Sequence, residues 1–265
     1  MVLKLKNPFR EKKVKTLHKK GVLLAQNREY EKAIKCYNDA LNMDPNYIKV
    51  LISKSAALCS FNKNDEALRC CNKCLKIDPD CYLAWDLKGF ILSDLRRYEE
   101  SLKCIDIALN LETHDEDVWN HKGDVLLELG RLDEALKCYE KALKLNPKSS
   151  TLWVNKGDVY FQQKKFNEAL KCFNKALDLD PHNHTIWNYK GFALLYLKHY
   201  AESLNAYNEA LKLYPNDYLT WGNKGNVFVE MKKFNEALKC FNKALELDPD
   251  DESAKKYRDE ILAIK

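Results

Sequence analysis

Gly89, Gly123, Gly157, Gly191 and Gly225 follow one another at a step of 34 residues, and the same step backwards reaches Ser55 and Gly21. A fixed period of this length constrains the fold more than composition can. Each period must be one supersecondary unit that buries its apolar face against the next. Seven periods fill the chain without insertion or deletion: 14–47, 48–81, 82–115, 116–149, 150–183, 184–217 and 218–251. Counting the first residue of each period as position 1, the small residue stands at position 8. Position 4 is Trp85, Trp119, Trp153, Trp187 or Trp221, with Leu17 and Leu51 in the first two periods. Position 20 is Ala or Ser. Position 24 is Tyr37, Cys71, Ile105, Tyr139, Phe173, Tyr207 or Phe241, position 27 is Ala or Cys, and Pro at position 32 closes six of the seven periods.

Positions 3, 4, 7, 8, 10, 11 and 14 share one arc of a helical wheel, and positions 20, 21, 24, 27, 28 and 30 share another. Each period therefore reads as helix A and helix B, laid antiparallel by a short turn at positions 15–17. Small residues at 8, 20 and 27 let the helices approach, with bulky ones at 4, 11 and 24 between them. Pro at 32 ends helix B, and a nearby Asp, Asn or Ser can cap the next helix A. The third period has no such Pro, and Thr113-His114-Asp115-Glu116 reads there as a capping box. Lysine occupies position 7 in every period, from Lys20 to Lys224, inside the arc expected to be buried. Its stem is expected to pack while the ammonium reaches an edge, with Asp44, Asp78 or Asp180 as partners.

The sequence W…G…Y…A…F…A…P, repeated in phase, resembles the tetratricopeptide repeat (TPR) family. The resemblance implies an all-α TPR α-solenoid, a right-handed superhelix of seven helix-turn-helix repeats, with the A helices on its concave side. Residues 1–13 read as a basic N-terminal tail and the start of the first helix, frayed over 1–6, capped at Asn7 and helical from Pro8. Residues 252–265 read as a C-terminal capping helix, where Lys255 and Asp259 replace the Trp and Gly of the repeat. No apolar run resembles a signal peptide or a membrane span, so the expected place is cytoplasmic.

Catalysis is not expected. The five Trp all sit at position 4, six of the eight Gly at position 8 and six of the seven Pro at position 32, so the usual loop-forming residues belong to the repeat. Phosphate-loop, zinc-protease and nucleophile-elbow motifs are missing, and the six His are scattered. Ten cysteines raise the question of metal or disulfides. Six of them fall at position 23, one per period except the sixth, which has Ala206, and neighbouring helices ~8–10 Å apart keep such a ladder from pairing. Cys71 and Cys74 form a CxxC, yet they occupy core positions and no second pair completes a zinc site. No cofactor and no metal are expected.

The expected function is a non-catalytic protein-protein interaction scaffold that binds a peptide or protein segment in the groove lined by the A helices. Positions 2, 5, 9, 12 and 13 lie away from the buried arc. In the third and fourth periods they supply Asp86, Phe90, Asp94, Asp117, Asn120, Asp124 and Glu128. The fifth supplies Val154, Asp158, Phe161 and Gln162, and the last two supply Asn188, Phe192, Leu195, Tyr196, Asn226 and Glu230. An acidic stretch beside an aromatic one calls for a segment that is basic and apolar. The family's carboxylate clamp needs Lys at position 5, where this chain has His18, Ile52, Asp86, Asn120, Val154, Asn188 and Gly222. Residues 1–35 hold 11 of the 44 Lys and Arg but 3 of the 39 acids, which leaves RNA binding through a basic head as an alternative. The six acids, with no bases, in the groove columns of the third to fifth periods oppose phosphate there. Self-association of solenoid ends is the other alternative, and the expected state is a monomer or a weak end-to-end associate, without membrane.

Overall fold

The computed structural model describes residues 8–264, and every regular element among them is an α-helix. The tail at 1–6 and the cap at Asn7 lie outside the described residues. The chain divides into two compact units, one running to Arg131 and one starting at Leu132. The first unit holds α1 (Pro8–Gln26), α2 (Tyr30–Met43), α3 (Ile48–Ser60), α4 (Asn64–Ile77), α5 (Tyr82–Asp94), α6 (Tyr98–Leu111) and α7 (Glu116–Glu128). The second holds α8 (Leu132–Leu145), α9 (Ser150–Gln162), α10 (Phe166–Leu179), α11 (His184–Tyr196), α12 (Tyr200–Leu213), α13 (Tyr218–Glu230), α14 (Phe234–Leu247) and α15 (Glu252–Ile264). Odd-numbered helices are the A helices. Within each unit, helices adjacent in sequence pack together, and the A helices α1, α3, α5 and α7 also touch in turn, as do α11 and α13.

The turn after each A helix is set by one backbone conformation. Position 15 has positive φ every time: Arg28, Asn62, Arg96, Gly130, Lys164, Lys198 and Lys232, with φ between 58° and 71°. Around it the N–H of Lys165 reaches Tyr160 O at 2.8 Å and the N–H of Lys164 reaches Phe161 O at 2.8 Å. This is the paired bonding that closes a helix in the left-handed conformation. Only Gly130 adopts it without a Cβ penalty.

Close approach of helices A and B rests on the small residue at position 8. A Cβ on Gly157 would stand 2.6 Å from the Phe173 ring, and one on Gly191 or Gly225 would stand 2.7 Å from Tyr207 or Phe241. The second period reverses the sizes. Ser55 replaces the glycine and Cys71 the ring, with Ser55 Oγ donating to Ala67 O at 2.9 Å and lying 3.1 Å from Cys71 Sγ. Where position 20 is serine the hydroxyl is buried but satisfied: Ser101 donates to Gly89 O and Ser203 to Gly191 O, both at 2.7 Å.

The tryptophans are not core residues. Each is half-buried, and its indole N–H donates to the carbonyl at position 32 of the preceding loop: Pro79, Thr113, Pro147, Pro181 or Pro215, at 2.8–3.1 Å. The position-7 ammonium groups of Lys88, Lys122, Lys156, Lys190 and Lys224 sit 5.0–5.9 Å from the centroids of these rings. Stems do pack from Lys54 onward, while Lys20 is exposed. The acid partners differ from those expected: Lys122 pairs with Asp106 at 2.6 Å and Lys156 with Glu140 at 3.0 Å. Asp44 and Asp78 are engaged in their own turns, accepting the N–H groups of Asn46 and Asp80 at 3.2 Å.

The capping box at Thr113 is likewise overturned. Asp115 caps α7 by accepting the Asp117 N–H at 3.0 Å, leaving the Thr113 carbonyl to Trp119. Ser149 and Asn183 cap α9 and α11 through Leu152 N–H and Thr185 N–H, as a short side chain before a helix should. The cysteines are all free, nine buried and Cys81 half-buried, and burial pushes the Cys71 thiol up to about 11. At the far end Ala254 and Ile261 of α15 join the cluster of Phe241 and Ala244, and Tyr257 stacks on Phe241 with centroids 5.7 Å apart.

Two stability measurements check this account by chemical denaturation. Lys164→Gly should stabilise and Gly130→Ala should destabilise, each by about 1 kcal/mol, because a Cβ at Gly130 meets nothing within 4 Å and only the backbone term is read. Trp153→Ala should cost about 2 kcal/mol, below the roughly 3–5 of a fully buried tryptophan, with the loss split between packing, the Pro147 bond and the Lys156 contact.

Candidate functional site

Neighbouring A helices meet along a diagonal. Position 5 of one period pairs with position 6 of the next: His18 with Ser53 Oγ at 2.9 Å, Asp86 with His121, and Asn188 Oδ1 accepting from Asn223 Nδ2 at 3.0 Å. Cys59 Sγ and Asp94 Oδ2, 3.4 Å apart, make the same step from position 12 to 13. The step is therefore 35 residues, one more than the repeat.

In the first unit this diagonal removes Asp86 from the surface. It is 8% exposed, and its two oxygens lie 2.8 and 3.0 Å from His121 Nδ1. Asp86 thus has an internal partner in His121 and does not present a carboxylate to solvent, contrary to the sequence reading. Burial alone would lower the His121 pKa, but the bond and charge of Asp86, helped by Asp124 and Asp117, raise it. Asp117 stands on the exposed first turn of α7, where loss of solvent on its inner side, then the charges of Asp115 and Glu116, raise its carboxyl.

Beside the pair opens a hollow of about 340 Å³ between α5 and α7, walled by Phe90, Tyr98, His121 and the carboxylates of Asp94, Asp124 and Glu128. Phe90 is 38% exposed, and its ring centroid lies 5.2 Å from that of His121. Tyr98 donates to Glu128 Oε2 at 3.3 Å, and Asn120 Nδ2 donates to Asp124 Oδ2 at 3.1 Å. Three acids and two aromatic rings around one opening suit a cationic side chain.

The second unit presents aromatic surface. Phe161 stacks on Phe192 at 5.0 Å and Phe166 on Tyr196 at 4.9 Å, and Phe161–Phe166, Phe161–Tyr196 and Phe192–Tyr196 close at 5.1–5.2 Å. Tyr196 is 52% exposed. On one side of Phe192 lies a hollow of about 310 Å³ bounded by Leu195, Tyr196, Tyr200, Asn226 and Glu230. On the other side one of about 290 Å³ is bounded by Asn188, Tyr189, Leu219 and Asn223. Asn188 is tied on both sides, donating to Thr220 Oγ1 as well as accepting from Asn223. Val154 packs into the Phe173 and Leu177 clusters and so serves the core, a second departure from the expected groove. Asp158 is half-buried, which raises its carboxyl, and it accepts Gln162 Nε2 at 3.1 Å.

Position 17, the first residue of helix B, escaped the sequence reading although Tyr98, Phe166 and Tyr200 line these surfaces. The signal was present: position 17 is aromatic in five periods, Tyr30, Tyr98, Phe166, Tyr200 and Phe234. Among the described residues no group of three or more His, Cys, Asp or Glu is placed to hold a metal ion, and no helix is long and apolar enough to cross a membrane.

Helical hairpins in series, carrying side-chain chemistry on one face, make a repeat protein whose surface is built for recognition. The chain belongs to the tetratricopeptide repeat family, whose pattern matches residues 14–47, 87–149, 120–184, 184–217 and 218–251. TPR proteins are typically non-catalytic scaffolds for protein interaction. The protein prenyltransferase alpha subunit repeat also matches, over residues 64–95. No curated protein matches the chain.

Among solved structures, a chain of the APC/C hetero-tetramer Cut9-Hcn1 is similar at 22% identity and a TM-score of 0.75, over 94% of this chain and 48% of that one. This chain thus spans about half the length of that relative. A tetratricopeptide repeat protein from Parabacteroides merdae is 14% identical with a TM-score of 0.70, over 95% and 99% of the two chains. YrrB, described as a TPR protein with an unusual peptide-binding site, is 20% identical with a TM-score of 0.57, over 71% and 97%. At these identities the likeness concerns the helical-repeat fold.

The Asp86–His121 pair gives a pH signature. A raised folded pKa means that its stabilisation is fully present below the ordinary histidine value of about 6.5 and is lost as pH rises through the higher folded value. His121→Gln should therefore cost more stability at pH 5.5 than at pH 8.5 in urea titrations. An equal cost at both would show that the pair is not charged.

Proposed function

We propose that this chain is a non-catalytic scaffold that captures protein or peptide segments on its A-helix faces through their Lys or Arg and large apolar residues. The observation that carries the reading is the quartet Phe161, Phe166, Phe192 and Tyr196, flanked by two hollows and half open to solvent at Tyr196. Helix stacking does not require an exposed tyrosine there, and desolvating such rings is a strong source of binding energy. In the first unit the carboxylates of Asp94, Asp124 and Glu128 beside Phe90 supply the complement to a basic residue. A reducing compartment such as the cytosol suits ten free cysteines.

The test starts from phage-displayed random peptides selected on the purified chain. Selected sequences should be enriched in Lys or Arg together with Leu, Phe or Trp. Tyr196→Ala should weaken them about tenfold through faster dissociation. Asp94→Asn with Glu128→Gln, checked by circular dichroism, should slow association and flatten its salt dependence. Enrichment of acidic peptides, or affinities indifferent to both variants, would overturn the proposal.

A further inference from the structure

Half of the cysteines crowd into the second period and its borders: Cys59, Cys70, Cys71, Cys74 and Cys81. One pair among them has no counterpart elsewhere in the repeat. Position 27 is alanine in the other six periods, and position 34 is Tyr47, Asp115, Ser149, Asn183, Asp217 or Asp251. Here the two positions are Cys74, in the last turn of α4, and Cys81, the residue before α5.

Their surroundings bring the two side chains together. Cys74 is fully buried in a cluster with Leu51 and Ala84, and Cys81 packs against that cluster. The two side chains therefore share one apolar pocket, with Cys81 at its edge and Cys74 inside it. The intervening loop is drawn tight by Asp78 N–H to Cys74 O at 2.9 Å and Cys81 N–H to Asp78 O at 3.3 Å. Cys81 is the one cysteine of the ten that is not buried. Of the other thiols in the period, Cys71 lies against Ser55 and Cys59 against Asp94, while Cys70 is buried.

We propose that Cys74 and Cys81 are an oxidation site that closes a reversible disulfide when the chain meets hydrogen peroxide. The half-buried Cys81 reacts first. Its thiolate attacks one peroxide oxygen, the O–O bond breaks, and the departing hydroxide takes up a proton to leave water and the Cys81 sulfenic acid. Cys74 then gives up its proton and attacks the Cys81 sulfur, and the S–O bond breaks with loss of a second water. Two thiols have lost two electrons and two protons, and the peroxide has become two waters. A small thiol such as dithiothreitol reverses the bond by exchange.

Burial pushes the Cys74 thiol up to about 12, so Cys74 is a poor first nucleophile and suits the resolving role, with Cys81 packed on the same cluster. The bond would pin the end of α4 to the start of α5, the helix that carries Phe90 and Asp94. This inference is independent of the peptide-binding proposal.

The test is peptide mapping of the full chain after brief hydrogen peroxide treatment without denaturant, with remaining thiols blocked by N-ethylmaleimide. Trypsin should release residues 74–76 joined to residues 77–88, lighter by two hydrogens than the separate thiol peptides and split by dithiothreitol. Cys74→Ser should arrest the reaction at the Cys81 sulfenic acid, with dimedone trapping raised about tenfold over the natural chain. Cys81→Ser should leave Cys74 unoxidised. Sulfenic or sulfinic acid at Cys81 without the linked peptide would overturn the proposal. So would pairing of Cys81 with a different cysteine, or no oxidation at Cys81 at all.

Discussion

The contact between position 8 and position 24 holds each hairpin at its spacing. With no side chain on Gly157 the Phe173 ring lies directly against α9, and the same holds for Gly191 with Tyr207 and Gly225 with Phe241. Volume is what matters there, not glycine as such, since Ser55 against Cys71 fills the gap with the sizes exchanged. Fixing this distance fixes which residues of helix A turn inward. Val159, Ala193 and Val227 at position 10 are completely buried, and positions 9, 12 and 13 are left for Phe161, Phe192, Leu195 and Tyr196. The recognition surface follows from packing that takes place on the other side of the helix.

Periodicity made most of the fold legible. Helix pairs, their order and the buried columns all repeat at 34, because equivalent residues meet equivalent neighbours. The misreadings arose where a side chain answers to something outside its column. Tryptophan at position 4 reads as core from size alone, yet its indole N–H needs a partner and finds the loop carbonyl, which keeps the ring at the edge. Arg96, Lys164 and Lys198 give no hint of a left-handed turn, because the conformation is imposed by the helices on either side. Asp86 and His121 stand 35 residues apart, so aligning the chain on its repeat places them in different columns and hides their bond.

The candidate site was half legible for the same reason. Phe161, Phe192 and Tyr196 are legible because they sit on the outward arcs of the A helices α9 and α11. Phe166 and Tyr98 were missed because they join from the start of the following helix. The two units differ in what they offer, carboxylates around rings in one and rings around an open hollow in the other. Repeated residues make the scaffold here, and the residues that break the repeat give each face its character.

The diagonal between A helices has a consequence for how such a chain can be edited. Removing residues 116–149 would preserve every column and leave the hairpin pattern intact. It would also slide Asn155 into the register of His121, leaving the Asp86 carboxylate buried opposite an amide that carries no charge. Copies that look interchangeable are therefore matched as neighbours, and the order in which they are strung is itself part of what the sequence encodes.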